Sequence, residues 1–566
     1  MTTVTSNQRM DSSASASASV DAVVVGAGFA GLYMLHRLRQ MGLSARVFEK
    51  GDDVGGVWYW NRYPGARCDV ESMQYSYSFS EELQQEWRWG ERFAPQPEIL
   101  AYAQHVAERF DLRRDIQFKT GVVAAHFDES TARWEVRTDS GERITARYCM
   151  MATGCLSAAR MPQIAGLAEF SGNSYHTGHW PHEGVDFTGQ RVGVIGTGSS
   201  GIQCIPMIAQ QAKHLCVFQR TPNFSIPARN LPMDDGYERG WKQNYPELRR
   251  QAREESTSGT VYQKSTRRGH ETSPQERQRE YQQRWERGGV NFMHSFNDLM
   301  IDQRSNDSAA DFVRGQIRAI VRDPAVAALL SPTDHPIGSK RICIDSSYYD
   351  TYNRDNVTLV DVRKAPIERM TATGLQTRDA HYALDSMVFA TGYDAMTGAL
   401  LRIDITGRGG QTLSQAWESG PKTYLGLMTA GFPNLFTITG PGSPSVLASM
   451  IFAVEQHVDW IVDCLQSIRS RGMDTIEAEP QAQDQWVAHV NEVADRTLFP
   501  LANSWYMGAN IPGKPRVFMP YVGGVVPYRQ KCDAVAANGY EGFRVSASSS
   551  ASVAPAGSAA DLRQNA

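Results

Sequence analysis

Two glycine-rich segments are the parts of this 566-residue chain best suited to bind a nucleotide. Residues 26–31 read GAGFAG and residues 196–201 read GTGSSG, and each follows a short β-branched run. In a strand–loop–helix unit, the first glycine permits a tight turn, the second lets the backbone approach a pyrophosphate, and the third lets helix and strand pack closely. The sequence therefore predicts two dinucleotide sites, with the glycines Gly26, Gly28, Gly31, Gly196, Gly198 and Gly201.

The residues that follow each loop distinguish the two ribose sites. Glu49 lies 23 residues after Gly26, where a carboxylate can bind a ribose 2′-hydroxyl. Gln219 has the same spacing in the second unit, and Arg220 and Thr221 come next. A carboxylate repels a 2′-phosphate, whereas a guanidinium and a hydroxyl can bind one. The first site is predicted to take FAD or NAD, and the second NADPH. The alternative for Arg220 is a surface residue unrelated to a cofactor.

Three other segments carry groups whose role the residue types alone leave open. Lys340 and Arg341 stand at the start of a predicted strand, and basic pairs are usually exposed. His176 and Trp180 lie four residues apart and fit an ordinary packed pair. Residues 55–69 are rich in glycine and aromatic side chains. They form either a surface loop with buried aromatics or a lid over a planar ring system.

Alternating strands and helices must position these groups. Two of the predicted strands lead into Ala-Thr-Gly, at residues 152–154 and 390–392. Residues 223–332 are predicted to be a helical insertion, because strand patterns are absent from 234–287 and helical spacing appears at 313–321. The fold class is therefore α/β, with two dinucleotide-binding, Rossmann-like domains. Further predicted elements are strands at 21–26, 45–48, 191–195 and 215–220, a helix at 32–41 and a hairpin at 134–147.

Composition sets the remaining bounds. The length predicts two or three domains. The net charge of -4 offers no basic face for nucleic acid, and no apolar run is long enough to span a membrane. The eight cysteines are scattered without metal-ligand or dithiol spacing, which predicts no metal site and a reducing cytoplasm. The same scatter argues against the dithiol disulfide reductases, which share paired nucleotide loops.

Between the two loops, the spacing of five residues resembles the fingerprint of the Baeyer–Villiger monooxygenases, flavoenzymes that insert oxygen next to a ketone carbonyl. The likeness covers nearly everything from residue 21 to 543. It implies that NADPH reduces FAD and that the reduced flavin and O2 form a C4a-peroxyflavin. This species inserts one oxygen next to a ketone carbonyl, giving an ester or lactone plus water. The fingerprint residues are Phe170, Gly172, His176, Trp180 and Pro181.

The resemblance also assigns roles to residues that composition left open. It places Arg341 over the flavin as the catalytic cation, oriented by the catalytic carboxylate Asp69. It implies that His176 and Trp180 link domain motions to the cofactors. The implied FAD contacts are Gly26, Gly28, Phe29, Gly31, Glu49, Gly56, Val57, Trp58, Asp69, Tyr75, Val122 and Met450. The implied NADP contacts are Arg67, Thr197, Gly198, Ser199, Ser200, Gly201, Gln203, Arg220, Thr221, Lys340, Arg341 and Trp505.

The expected domain order follows from the same resemblance. The FAD-binding domain is split in two, and so is the NADPH-binding domain inside it. A loop near 500–515 is expected to be mobile and to fold over NADP. The expected order is a disordered N-terminus (1–20), FAD domain (21–154), NADPH domain (155–222), helical insertion (223–332), NADPH domain (333–384), FAD domain (385–545) and a disordered C-terminus (546–566).

Two other functions stay open at this point. One is a flavin monooxygenase that oxidises amines or sulfides, although its related fingerprint lacks the Trp-Pro that ends this one. The other is a non-catalytic flavin-binding redox sensor or scaffold, which would need no intact Arg341. Cys155 departs from the glutamine that some relatives carry after the first Ala-Thr-Gly, so the ketone cannot be assigned by analogy. The expected partners are a small ketone and O2, and a monomer is expected.

Overall fold

The computed structural model describes residues 18–547. Within them the chain alternates strands and helices. The strands are β1 (Ala18–Val25), β2 (Ala45–Phe48), β3 (Ile116–Gln117), β4 (Val122–Asp128), β5 (Arg133–Thr138), β6 (Arg143–Met151), β7 (Asn173–His176), β8 (Arg191–Ile195), β9 (His214–Gln219), β10 (Ser225–Pro227), β11 (Cys343–Asp345), β12 (Val357–Asp361), β13 (Ile367–Thr371), β14 (Gly374–Thr377), β15 (His381–Ala383), β16 (Ser386–Phe389), β17 (Asp404–Thr406), β18 (Leu435–Thr437), β19 (Thr475–Ala478) and β20 (Phe543–Ser546).

The α-helices include two that begin directly at the glycine loops, α1 and α5. They are α1 (Phe29–Gln40), α2 (Val57–Trp60), α3 (Glu81–Glu86), α4 (Gln96–Arg109), α5 (Ser199–Gln211), α6 (Asp235–Glu254), α7 (Pro274–Arg287), α8 (Gln303–Ile320), α9 (Pro324–Leu330), α10 (Tyr348–Thr351), α11 (Gly398–Leu401), α12 (Leu413–Ala416), α13 (Met450–Ser470), α14 (Pro480–Asp495) and α15 (Val525–Ala537). No described helix is both long enough and apolar enough to cross a membrane.

The first large sheet contains the first glycine loop. Its strand order is β17-β4-β5-β6-β1-β2-β3, and β18 also pairs with β6. Strands β3, β2, β1, β6 and β18 run parallel, and β4, β5 and β6 form an antiparallel meander. β1 is buried at its end because Val24 packs in one core cluster, while Val23 and Val25 pack in another. A central parallel strand that feeds a glycine loop is the arrangement predicted for a dinucleotide fold.

The second large sheet contains the second glycine loop. Its order is β12-β9-β8-β16-β7, and all neighbours are parallel. The α/β fold class is thus confirmed. β16 lies in this sheet, between β8 and β7, so the boundary predicted between residues 384 and 385 falls one strand too early. The cause is that each Ala-Thr-Gly ends a strand of the sheet that the chain is leaving: the loop at Gly196 packs on Ala390 as the loop at Gly26 packs on Ala152.

The insertion predicted for residues 223–332 is helical over most of its length, from α6 to α9. Its first residues differ, because β10 pairs in parallel with β11, which lies more than 100 residues later in the chain. No local pattern reveals a partner so distant. A three-stranded antiparallel sheet, β13-β14-β15, was also not predicted; its Met370 and Leu375 pack on one face of the second sheet.

The chain ends differ slightly from their predicted limits. β1 begins at Ala18, and residues 18–20 pair with β6 instead of being disordered. β20 ends at Ser546, which pairs with Thr475 of β19. The predicted disorder of residues 1–17 and 548–566 lies outside the described residues.

Candidate active site

The first glycine loop forms a cradle for a phosphate group. Gly26 has a φ of 104°, and a Cβ atom there would lie 2.7 Å from the carbonyl oxygen of Ala152. A Cβ at Gly31 would lie 1.8 Å from the carbonyl oxygen of Gly26. The Cα of Gly56 lies 3.3 Å from the position of a Cβ on Gly28, so a second loop closes over the first. Helix α1 begins here without a side-chain cap, which leaves its first N–H groups free for an anion.

Glu49 lies beside this cradle and is buried. Its two carboxylate oxygens accept hydrogen bonds from the backbone N–H groups of Ala27 and Gly51, both at 2.7 Å. Burial raises the pKa of Glu49, while these backbone hydrogen bonds act in the opposite direction. Each oxygen keeps a lone pair that can accept from a ribose hydroxyl. Thr120 donates its N–H to the carbonyl of Glu49, and Val122 follows it as the first residue of β4.

Aromatic residues of the segment after the cradle pack against one another. Trp58 donates from Nε1 to the hydroxyl of Tyr75 at 3.1 Å, and the two rings meet edge to face. Phe29, the first residue of α1, meets Tyr75 in the same manner. Val57 begins α2, and Met450 begins α13. The predicted lid over a planar ring therefore contacts the first glycine loop directly.

The second glycine loop repeats the first. Gly196 has a φ of 111°, and a Cβ there would lie 2.3 Å from the carbonyl oxygen of Ala390. A Cβ on Gly198 would meet nothing within 4 Å, and α5 begins without a side-chain cap, so the helix N-terminus is open. Gly201 packs on Gly196 as Gly31 packs on Gly26. Thr197, Ser199 and Ser200 lie at this turn, and Thr197 Oγ1 donates to the carbonyl of Thr221 at 2.9 Å.

The groups proposed for a 2′-phosphate divide into buried and exposed ones. Gln219 is buried, and its Nε2 donates to the carbonyl of Leu329 at 2.8 Å. Arg220 is exposed. Burial lowers the pKa of Lys340, Asp334 opposes that shift, and the charge of Arg220 adds to it. Lys340 is half-buried.

Arg341 and Asp69 form a bidentate ion pair, although 272 positions separate them in the chain. Arg341 Nε donates to Asp69 Oδ2 and Nη2 donates to Oδ1, both at 2.8 Å. Nη1 donates to the carbonyl of Val446. The two charged side chains are 28% and 24% exposed. Burial alone would lower the pKa of Arg341, but Asp69 outweighs it and raises the pKa above its usual range, so the cation is permanent.

Tyr506 is buried, interacts electrostatically with the same guanidinium and was not predicted from the sequence. Burial raises the pKa of its hydroxyl to about 12, against the opposing effect of Arg341. The carbonyl of Val446 was also not predicted, because a backbone acceptor leaves no trace in residue types. Tyr506 was adjacent to a predicted contact, Trp505, and its ring lies 4.2 Å from the Trp505 ring. Trp505 itself is half-buried.

Two predicted NADP contacts form bonds between elements. Gln203 of α5 donates from Nε2 to the carbonyl of Arg67 at 3.0 Å and accepts from the hydroxyl of Tyr63 at 2.8 Å. The guanidinium of Arg67 pairs with Glu91 and with the carbonyl of Phe93. These bonds join the segment before Asp69 to the helix of the second glycine loop. The sequence could not predict these bonds, because both partners of Gln203 are more than 130 positions away in the chain.

The five fingerprint residues form the edge of the second sheet and the turn after it. His176 ends β7 opposite Phe389, and its Nε2 lies 3.4 Å from Oγ1 of Thr391. Its Nδ1 accepts from the N–H of Gly178 at 2.9 Å. Burial, with a contribution from His179, lowers the pKa of His176 to about 4, so the ring is neutral near pH 7. A proton-transfer role at neutral pH is therefore not favoured.

The other fingerprint residues are packing residues. Trp180 is buried and lies against the rings of Tyr175 and Phe187. A Cβ on Gly172 would lie 2.5 Å from the ring of Phe170. Pro181 is half-buried and ends the segment. His179 and His182, on either side of it, pack on the rings of Trp60 and Tyr59 in α2, so the turn that holds Trp180 and Pro181 contacts the segment after the first glycine loop.

The loop predicted to be mobile is held by two of its own side chains, which were not predicted. We call residues 503–515 the strap. Lys514 Nζ donates to Asp394 Oδ1 at 2.6 Å and to the carbonyl of Ala395 at 2.8 Å. Asn510 Nδ2 donates to the carbonyl of Tyr393 at 2.8 Å. The strap is therefore docked on the residues that directly follow the second Ala-Thr-Gly.

One group of side chains in the insertion has the composition of a metal site. Ligand atoms of His270, Asp298 and Asp302 all lie within 4.8 Å of one another. Asp298 already accepts from the N–H of Gly269, from Ser305 Oγ and from His270 Nδ1. Asp302 caps helix α8. These hydrogen bonds explain the cluster as a support for the insertion.

Comparison with known proteins agrees with this geometry. A family profile described as "Flavin-binding monooxygenase-like" matches residues 20–240. A "Baeyer-Villiger monooxygenase" from Pseudooceanicola batsensis is 44% identical over 538 residues, which cover 94% of this chain and 98% of that protein. "Phenazine N-monooxygenase PhzNO1" from Lysobacter antibioticus is 42% identical and covers 94% and 98%. The solved structure of an oxidized steroid monooxygenase bound to NADP superposes with a TM-score of 0.90 at 55% identity, covering 93% and 99%. The chain belongs to the Baeyer–Villiger monooxygenase family.

Proposed function

We propose that this protein is an FAD- and NADPH-dependent monooxygenase that converts a ketone to an ester or lactone with O2. The observation that carries the proposal is the bidentate Arg341–Asp69 pair, a permanent cation in a chain that also has two dinucleotide cradles. A reductase or a flavin-binding scaffold needs the cradles but not that cation. The membership of the chain in the Baeyer–Villiger family supports the same reading.

The first cradle fits FAD. Its uncapped helix end suits a pyrophosphate, and Glu49 suits a ribose that carries a free 2′-hydroxyl. Gly28 and Gly56 lie too close to each other for side chains, which leaves backbone groups to meet the cofactor. Trp58 and Tyr75 would border the ring system. When bound, and after reduction by NADPH, FAD supplies the activation of O2.

The second cradle fits NADPH. Arg220 and Lys340 would hold the 2′-phosphate, and the open N-terminus of α5 would hold the pyrophosphate. Gln219 would permit the 2′-phosphate because it carries no charge. Trp505 in the strap would cover the nicotinamide nucleotide and exclude water while Lys514 keeps the strap docked. Gln203 and Arg67 would fix the distance between the two cradles rather than select the cofactor.

Arg341 would stabilise negative charge at the reacting carbonyl. A guanidinium has five N–H groups. Two donate to Asp69 and one to Val446, so two remain for the ketone oxygen on which charge develops during attack. A preorganised cation in a site from which water is excluded is commonly the largest single contribution to such catalysis. Asp69 would hold the plane of the guanidinium by its two parallel hydrogen bonds.

A cytoplasmic location is part of the proposal. The eight cysteines are all free and buried, in agreement with a reducing compartment. The role proposed for His176 and Trp180 is to link domain motions to the cofactors, with the neighbouring His179 and His182 packed on Trp60 and Tyr59 of α2.

Oxidation of an aromatic nitrogen is the second candidate. It is favoured by the phenazine N-monooxygenase, which matches the chain over the same length and at nearly the same identity as the Baeyer–Villiger relative. Nitrogen oxidation has no carbonyl on which charge develops. It should therefore depend much less on the two free N–H groups of Arg341 than ketone oxidation does.

The test is a substrate panel with labelled dioxygen. The FAD-loaded protein receives NADPH and, separately, a steroid ketone, phenylacetone, cyclohexanone, a linear ketone and phenazine. Mass analysis should find an ester or lactone that carries one labelled oxygen from at least one ketone. Conversion of phenazine to its N-oxide, with all ketones unchanged, would replace the first candidate by the second.

A further inference from the structure

Cys155 lies at the centre of a group of residues next to Val446, whose carbonyl accepts a hydrogen bond from Arg341. Its thiol donates to the carbonyl of Thr439 at 3.2 Å and lies 3.4 Å from Ser445 Oγ. Its own carbonyl accepts from the N–H of Met396 at 2.8 Å. Ser445 Oγ also lies 3.8 Å from Met396 Sδ. All of these residues are buried.

The three residues that Cys155 contacts have left-handed backbones without being glycine. The φ angles are 68° at Met396, 57° at Thr439 and 42° at Ser445. Such conformations persist only where surrounding contacts enforce them, and they concentrate at functional sites. Cys155 contacts each one, by its side chain or its main chain. It is therefore well placed to hold this backbone.

The contacts of Cys155 affect Arg341 through one residue, Val446. Val446 directly follows Ser445, and its carbonyl accepts from Nη1 of Arg341. A change in the backbone of Ser445 would turn that carbonyl away. The guanidinium would then be held by Asp69 alone, and its two remaining N–H groups would no longer have a fixed direction.

We propose that Cys155 is a positioning residue for Arg341, acting through Ser445 and the Val446 carbonyl. The inference rests on the proposed function, because it gives Arg341 its place beside the flavin. The proposal also explains why position 155 can hold a small hydrogen-bond donor. A hydrogen bond to Thr439 needs a short side chain, because Met396, Val446 and Tyr506 pack around it.

The primary test is the midpoint potential of the bound flavin, measured without NADPH or ketone. A cation held beside the flavin raises that potential, since it favours the added negative charge. Cys155→Ala should shift the potential to more negative values, and Cys155→Ser, whose hydroxyl can donate to Thr439, should restore most of the shift. Cys464→Ala removes another buried thiol, on α13, and should leave the potential unchanged. Equal potentials in Cys155→Ala and the unmodified protein would overturn the proposal.

A double-mutant cycle separates positioning from general packing. In protein that already carries Arg341→Ala, Cys155→Ala should shift the potential no further, and an additive shift would overturn the proposal. Ser445→Ala removes the hydroxyl beside Cys155 and should act in the same direction, which keeps the test valid if Cys155→Ala does not fold. Hydrogen peroxide formed per NADPH should also rise about tenfold in Cys155→Ala, as expected for a misplaced catalytic group. If the potentials shift as predicted but no ketone is ever converted, only the proposed function fails.

Discussion

The ion pair between Arg341 and Asp69 gives the sharpest prediction. Asp69→Asn keeps the shape of the side chain but replaces one accepting oxygen with a donating amide. That amide would face an N–H of Arg341, where the aspartate accepts at 2.8 Å. The guanidinium would lose one of its two hydrogen bonds to residue 69, and the other would no longer have a charged acceptor, so the Val446 carbonyl would be left as its unaltered partner.

The size of the effect follows from the geometry. A hydrogen bond to a charged group contributes roughly 1.5–3 kcal/mol when buried. The two side chains are 28% and 24% exposed, so solvent screening reduces the figure to about 1 kcal/mol for each of the two bonds. A loss of about 2 kcal/mol in the transition state corresponds to a roughly 30-fold fall in rate. We expect that fall in kcat/KM for ester formation, together with a similar loss in the free energy of unfolding.

A matched control lies in the second sheet. Asp385 forms a bidentate pair with Arg191, at 2.6 Å and 3.1 Å, with both side chains more than 40% exposed. Asp385→Asn should cost less than about 1 kcal/mol of stability and leave the rate unchanged. The assay is ester formation at saturating NADPH, with urea unfolding of the FAD-loaded protein. Equal rate losses in the two variants, or a near-normal rate in Asp69→Asn, would refute the reasoning.

Three further predictions concern the second cradle, the strap and pH. Lys340→Met should weaken NADPH binding about tenfold to 100-fold and leave NADH binding unchanged, because only NADPH carries the 2′-phosphate; equal losses for both would contradict the assignment. Lys514→Met removes the bonds to Asp394 and Ala395 and should raise the NADP+ dissociation constant about tenfold, whereas Lys422→Met, in a surface pair of 3.6 Å, should not. Burial lowers the pKa of His176 from 6.5 to about 4. Between these pH values the unfolded chain binds one more proton than the folded protein, so the free energy of unfolding decreases as pH falls through that window. His176→Gln should reduce this slope, by up to about 1.4 kcal/mol per pH unit, in urea unfolding at several pH values, and an unchanged slope would show that His176 does not titrate in this way.

The parts of the fold that follow local rules could be predicted. The glycine loops at Gly26 and Gly196 require positive φ and close packing, which only glycine permits, so their spacing indicates a strand and a helix around them. β2 begins and ends at its predicted residues, and α8 covers the helical stretch predicted at 313–321 up to Ile320. Because the two units have the same spacing, counting from each loop also identified Glu49 and Gln219 as equivalent positions that differ in charge.

The sequence did not predict the features that depend on partners distant in the chain. β10 pairs with a strand more than 100 residues away, and β16 belongs to the sheet that its Ala-Thr-Gly leaves. Composition alone would have placed Lys340 and Arg341 on an exposed surface; only a family resemblance pointed to Asp69. Neither composition nor the family resemblance predicted the Val446 carbonyl or the hydrogen bonds of Lys514, because a backbone acceptor and a docked loop have no signature in residue types.

The most direct test of the account is the product of NADPH oxidation by Arg341→Ala. This variant should retain FAD and still oxidise NADPH, because the glycine loops that form both cradles lie outside the substitution. Its yield of ester per NADPH should fall by at least about 100-fold, with hydrogen peroxide formed instead, as expected when the group that stabilises developing charge is removed. An ester yield close to that of the unmodified protein would show that the ion pair with Asp69 is not what makes this chain a ketone monooxygenase.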